Sequence, residues 1–140
     1  MHFVNKYKKI IDKTNDLMYN KNRIRDTGNK KVIIRIKTED KMVKHIILWK
    51  LKETDPTAAA KIKSDAKREL EALNGKIDGL LSIKVVTDAL ASSNADMMLD
   101  SCFESAEALA GYQVHPLHKA AANGYVRPFV EVRLCLDFEE

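Results

Sequence analysis

"VKHIILWKL", residues 43–51, is the stretch whose reading decides the fold. It is β-branched and apolar over nine residues without glycine or proline, which predicts a strand. Side chains alternate across a strand, so its two faces can be read separately. Val43, Ile47 and Trp49 lie on one face, and Ile46 and Leu48 on the other. Both are apolar, so a sheet built around this strand needs cover on both sides.

Working outward, "TDPTAAAKIKSDAKRELEALNG" (54–75) predicts a long helix. Asp55 can cap the free N–H groups, Pro56 suits the first helical position, and Asn74-Gly75 supplies a left-handed stop. Ala59, Ile62, Ala66, Leu70 and Leu73 recur at steps of three and four and form one face. "GLLSIKVVTD" (79–88) and "ADMMLDSCF" (95–103) predict a second and a third strand, with "ALASSNA" as the loop between them. Met97 and Met98 read as ordinary strand residues. Ser105 caps a short helix expected to stop at Gly111. A further short helix is expected from Pro116 to Asn123-Gly124, with His115 at its cap. "FVEVRLCLDF" (129–138) alternates Val130, Val132, Leu134, Leu136 and Phe138 with Glu131, Arg133, Cys135 and Asp137, a last strand.

The order is βαββαβ, an α+β, ferredoxin-like plan. Helices cover one face of such a sheet. A second copy of the chain is the natural cover for the other, so the expected partner is the protein itself, in a homodimer with a barrel-like interior: a dimeric α/β barrel.

The totals agree with a single main domain. Of 140 residues, 45% are hydrophobic and 31% charged, an ordinary globular mixture. No apolar run approaches the roughly 18 residues of a membrane span, and the first residues lack the apolar core of a secretory signal, so a cytoplasmic address is expected and no membrane partner. Cys102 and Cys135 sit in apolar strand-like runs and read as buried, reduced thiols.

A seam falls at residue 41. Residues 1–41 hold 12 Lys/Arg and 5 Asp/Glu, a net +7; residues 42–140 hold 12 and 15, a net −3, and the two sum to the chain's +4. All 14 alanines follow the seam. Met42 is therefore expected to open the functional domain, 42–140. Residues 1–41 are expected to be a basic N-terminal extension whose place in the native, ordered protein its composition leaves open. An amphipathic helix (Val4, Tyr7, Ile11, Met18) and a short strand around "VIIRI" are conceivable within it. The competing reading, a nucleic-acid or anionic-surface arm, lacks a base-reading motif and has few interleaved aromatics, so nucleic acid is not an expected partner.

"YQVHPLHKAAANGYVRP" (112–128) concentrates a tyrosine and two histidines in seven residues. Together "MVKHIILWKLK" (42–52), "GLLSIKVV" (79–86), "FESAEALAGYQVHPLHKAAANGYVRPFVE" (103–131) and "CLDFE" (135–139) resemble the stress-responsive A/B barrel, or Dabb, domain family. The resemblance covers 42–140 and none of 1–41. It implies a dimeric α+β barrel, as the strand pattern does independently. Family members include plant heat-stable proteins, domains of unassigned role, and a plant polyketide cyclase that closes a ring by an aldol-type step with a histidine base and a tyrosine. By motif, His118 corresponds to that histidine, Tyr112 to its tyrosine, and His45 to a first-strand histidine lining the same pocket. The cyclase's second tyrosine, in its long helix, has Leu70 at the nearest position here, so that hydroxyl does not carry over.

The chemistry fits the residue types. Aldol cyclisation needs a base beside a carbonyl and a donor for the enolate oxygen, and histidine titrates near pH 6.5. A tyrosine hydroxyl bonded to the histidine can orient it. Six residues on one straight helix would set Tyr112 and His118 about 120° apart. Pro116 breaks that helix and lets the side chains converge. Each residue also has a plainer reading: His115 as a capping residue, His118 and His45 as packed histidines, Trp49 as core, Arg127 and Glu131 as a pair across a turn or an interface or as solvated charges. His115 and His118 lack a third ligand at metal spacing, so no metal is expected, and no cofactor. Neither a phosphate-cradling loop nor a G-x-S-x-G elbow is present. The expectation is a homodimeric protein with a pocket for a small apolar, aromatic or carbonyl ligand, with His45, Trp49, Tyr112 and His118 as ligand-binding residues. The alternative is a cofactor-independent lyase or isomerase using His118 as base with Tyr112; related barrel dimers also include cofactor-free monooxygenases and haem-degrading proteins.

Overall fold

The structure is a computed structural model that describes residues 41–140. The helix and strand conceived within the first 40 residues lie outside the described residues. The order is β1 (Val43–Leu51), α1 (Pro56–Glu71), β2 (Leu80–Val86), β3 (Met97–Phe103), α2 (Ala106–Val114), α3 (Pro116–Tyr125), a 3-10 turn (Arg127–Phe129) and β4 (Val130–Glu139). The four strands form one sheet in the order β2-β3-β1-β4. All three pairings are antiparallel. This is the ferredoxin-like plan read from the strand and helix order. No helix among the described residues is long and apolar enough to cross a membrane.

The helical face of the sheet carries the core. Val43, Ile47, Trp49 and Leu51 of β1 are buried on it with Val85, Leu99 and Phe103. From α1 they meet Ala66 and Leu70, with Leu73 just beyond, the stripe seen in the sequence. Leu70 is 2% exposed, and burying a leucine that fully is worth roughly 1.5–3 kcal/mol.

Helix α1 begins as its residues dictate. Asp55 stands in extended conformation and its carboxylate accepts from Ala58 N, with Pro56 in the first turn. It ends three residues earlier than expected, because Asn74 leaves the helix to serve a strand: its Oδ1 accepts from Ile83 N and its Nδ2 donates to Ile83 O. Glu71 accepts from Val85 N, and Lys67 donates to Val85 O. These three side chains occupy backbone groups along the outer edge of β2 and blunt it.

Gly111 does not end α2, which continues to Val114. A Cβ there would meet nothing within 4 Å, and no left-handed angle marks it. The stop comes at His115, extended at φ −66° and ψ 134° as a residue before proline must be. Gly79 is different: its φ is +78°, and a Cβ would lie 2.5 Å from Ala108 Cβ, so turn and helix meet through it.

The second face follows from register. Pairing sets Lys44, Ile46, Leu48 and Lys50 of β1 on the same side as Phe138, Leu136, Leu134 and Val132 of β4. Among the described residues no helix covers this side, and Leu48, Val132, Leu134, Leu136 and Phe138 are exposed. Its charged groups include Lys50 and the ion pair of Lys44 with Asp100. The cysteine expectation needs correction. Both thiols are free, but Cys102 is half-buried and Cys135 exposed. Cys135 pairs with Ile47 and faces the helical side, yet β4 is the edge strand and no helix among the described residues reaches over it; Cys102 pairs with Lys44 on the opposite face. The two thiols cannot meet through the sheet.

Candidate functional site

A pocket of about 460 Å³ opens between the helical face of β1–β4 and the bend joining α2 to α3. Its apolar lining includes Ile47, Trp49, Leu70 and Leu99. Its polar lining is His45, Tyr112, Gln113, His118, Arg127, Glu131 and Arg133. All four expected ligand-binding residues, His45, Trp49, Tyr112 and His118, are on this wall. Leu70 stands there too, giving methyl groups where the cyclase motif has a hydroxyl.

The bend brings Tyr112 and His118 together. Ending α2 at the residue before Pro116 and restarting in α3 changes the helix direction, and the two rings stack with centroids 4.2 Å apart at 36°. This replaces the expected hydrogen bond between them. Tyr112 is 1% exposed, and its hydroxyl has no hydrogen-bond partner among the described residues. Phe103, at 4.9 Å, packs against its ring. Burial pushes the Tyr112 hydroxyl well above the usual tyrosine range, so it is a donor and not a phenolate.

His118 is oriented by backbone. Its Nδ1 lies 3.3 Å from Gln113 O; a carbonyl only accepts, so Nδ1 carries the proton and Nε2 keeps its lone pair. Burial holds its pKa below the ordinary histidine value; the Gln113 carbonyl pulls the other way, and the charge of Arg127 adds to the lowering. Near neutral pH it is therefore a neutral imidazole with a free basic nitrogen. His115 is the cap its position suggests: its Nδ1 accepts from Leu117 N at 3.1 Å. With His115 and His118 bound to different backbone groups, they are not set as a ligand pair.

His45 is 3% exposed. Its Nδ1 lies 2.5 Å from Asp137 Oδ1, a partner that the sequence reading assigned only to the polar side of β4. The two residues are directly opposite in the β1–β4 ladder, and only register could have shown it. Cys135, two residues earlier on the same face, places Sγ 3.4 Å from Asp137 Oδ1 and 3.8 Å from His45 Nδ1. Burial, then hydrogen bonding to Asp137, raises the Cys135 pKa, so it lacks the thiolate character of a nucleophile. Within the chain Arg127 does not pair with Glu131: its Nη1 donates to Asn123 Oδ1 at 2.7 Å, and both charged residues line the pocket.

Fold and site together define an α+β protein of ferredoxin-like topology, with a pocket between sheet and helices edged by histidine and tyrosine. The model of the Dabb, or stress responsive A/B barrel, domain matches residues 43–140, and the chain belongs to that family. A dimeric protein of unknown function with a ferredoxin-like fold from Bacteroides fragilis is 30% identical, covers 71% of this chain and 96% of its own, and has a TM-score of 0.66. A Dabb family protein with a ferredoxin-like fold from Mesorhizobium loti is 24% identical over 72% of this chain and 98% of its own, at a TM-score of 0.58. A dimeric ferredoxin-like protein of unknown function from Thermobifida fusca is 22% identical over 75% of this chain and 96% of its own, at 0.62. These last two similarities concern the fold alone. No curated protein matches the chain.

Proposed function

We propose that the chain is a homodimeric binding protein for a small, largely apolar molecule, aromatic or carbonyl-bearing, held in the pocket beside Tyr112 and His118. The observation that carries this reading is Tyr112, which lines an apolar-floored pocket and whose hydroxyl is buried without a partner among the described residues. An unpartnered buried hydroxyl costs about 1–3 kcal/mol, and a ligand oxygen accepting from it removes that penalty. The exposed row Leu48, Val132, Leu134, Leu136 and Phe138 supports the dimer: a contiguous apolar face of this kind is what a second copy covers. The relatives from Bacteroides fragilis and Thermobifida fusca are dimeric. Two free thiols fit a reducing, cytoplasmic setting.

The neutral His118 with its free Nε2 favours a second reading, a cofactor-independent lyase or isomerase. His118 would take the proton from carbon beside a carbonyl, and Tyr112 would donate to the resulting enolate oxygen. Leu70, apolar where a second hydroxyl would assist such a step, weighs toward binding alone.

A panel of aromatic β-keto esters separates the two. Binding alone gives thermal shifts that weaken in Tyr112→Phe and His118→Ala, with no product. Turnover abolished by His118→Ala supports the second reading; turnover that survives both changes eliminates the histidine–tyrosine mechanism. Absence of any shift across apolar, aromatic and carbonyl ligands refutes the pocket's proposed role.

A further inference from the structure

Along the edge strand, on the face away from the exposed apolar row, three side chains of different chemistry converge. His45 Nδ1, Cys135 Sγ and Asp137 Oδ1 all lie within 4.8 Å of one another. Both contacts of His45 are made at the same nitrogen, Nδ1. A nucleophilic relay would use the two imidazole nitrogens in turn, one for the carboxylate and one for the thiol. Here one nitrogen, one sulfur and one carboxylate oxygen instead contact one another, three potential ligand atoms gathered at one place.

We propose that His45, Cys135 and Asp137 form a binding site for a divalent transition metal of the zinc class, apart from the Tyr112–His118 stack. Imidazole, thiolate and carboxylate are all zinc ligands, and three protein ligands leave the fourth tetrahedral position open. Binding releases the thiol proton, and the single proton of the neutral imidazole resides on Nε2 so that the Nδ1 lone pair can ligate. Thiolate and carboxylate then balance the two charges of the ion, with His45 neutral. For bond lengths of about 2.0–2.3 Å in tetrahedral geometry, the ligand atoms should be about 3.3–3.6 Å apart. The sulfur sits 3.8 Å from nitrogen and 3.4 Å from oxygen, close to those values. Only the nitrogen–oxygen side, at 2.5 Å, has to open, by under about 1 Å, and Asp137 is free to move because it sits on an exposed edge. The scaffold is rigid where it matters: His45 is buried, and the ladder sets Asp137 directly across from it. Arg133, next along the same face, adds a positive charge that favours the thiolate. Cys135 on the edge strand leaves the site open to solvent and to an incoming ion.

The test uses the full chain, purified with chelator and titrated with Co2+, then with Zn2+ in competition. One Co2+ per chain with a thiolate-to-cobalt charge-transfer band is expected. The band should vanish in Cys135→Ser and persist in Cys102→Ser. Zn2+ affinity should fall at least tenfold in Asp137→Asn, since even outer-shell partners of a metal are worth about 10- to 100-fold. Circular dichroism on each variant checks the fold, and the exposed Cys135 makes its replacement structurally mild. No uptake, uptake without a thiolate band, or a band that survives Cys135→Ser overturns the proposal. Ligand binding beside Tyr112, in the pocket that His45 also lines, is read separately by Tyr112→Phe in the metal-free protein.

Discussion

Tyr112→Phe should raise the stability of the ligand-free protein and lower its affinity for ligand. The change removes one oxygen and leaves the ring, so the stack on His118 at 4.2 Å and the contact with Phe103 at 4.9 Å persist. The oxygen removed is buried and unpartnered. Leaving such a group unsatisfied costs about 1–3 kcal/mol, so its loss stabilises by the order of 1 kcal/mol. In a domain of this size that is a rise in Tm of roughly 4–8 °C. With a bound aromatic β-keto ester the sign reverses. A hydrogen bond from Tyr112 to the ligand oxygen contributes about 0.5–1.5 kcal/mol, so the variant should bind roughly 2- to 13-fold more weakly. Thermal denaturation with and without ligand, together with calorimetric titration, measures both. A Tm that falls by several degrees in the ligand-free variant would show that the hydroxyl is already satisfied. Unchanged affinity would show that it does not address the ligand. Either result refutes the reasoning.

Gly79→Ala should lose about 1–3 kcal/mol by thermal denaturation, because alanine at φ +78° is strained and its Cβ would press on Ala108. Gly111→Ala, inside α2 with open space around it, should instead gain up to about 1 kcal/mol. If the exposed row is the dimer face, the parent should be a dimer by light scattering at micromolar concentration and Leu136→Glu a folded monomer. Burial lowers the His118 pKa below its unfolded value, so the unfolded chain takes up that proton first as acidity rises. Its contribution to stability is intact above about pH 6.5 and falls as pH drops through the depressed folded value; His118→Gln should flatten that part of the denaturation profile. Removing residues 1–41 should leave the fold and ligand shifts unchanged; loss of cooperative unfolding would refute their being an appendage.

Local patterning was enough for the elements and their order. Asp55-Pro56 starts α1 wherever that helix is placed, because a cap acts within one turn. The two apolar parities of β1 implied an uncovered sheet face, since strand alternation needs no knowledge of neighbours. Pro116 marked the bend that joins Tyr112 to His118. Gly111 misled because glycine tolerates a helix interior as well as a stop, and only its angle decides between them. Register and edge position belong to the tertiary structure. Asp137 lies 92 residues from His45, and nothing within either strand says that they face each other. Cys135 looked buried because it alternates with leucines, but β4 ended at the sheet edge, where no helix among the described residues covers its inner side. The Tyr112 hydroxyl reads in sequence as a partner for His118. In the fold the rings stack, and the oxygen is buried without a hydrogen-bond partner among the described residues, because convergence of two helices fixes ring planes that spacing along the chain cannot.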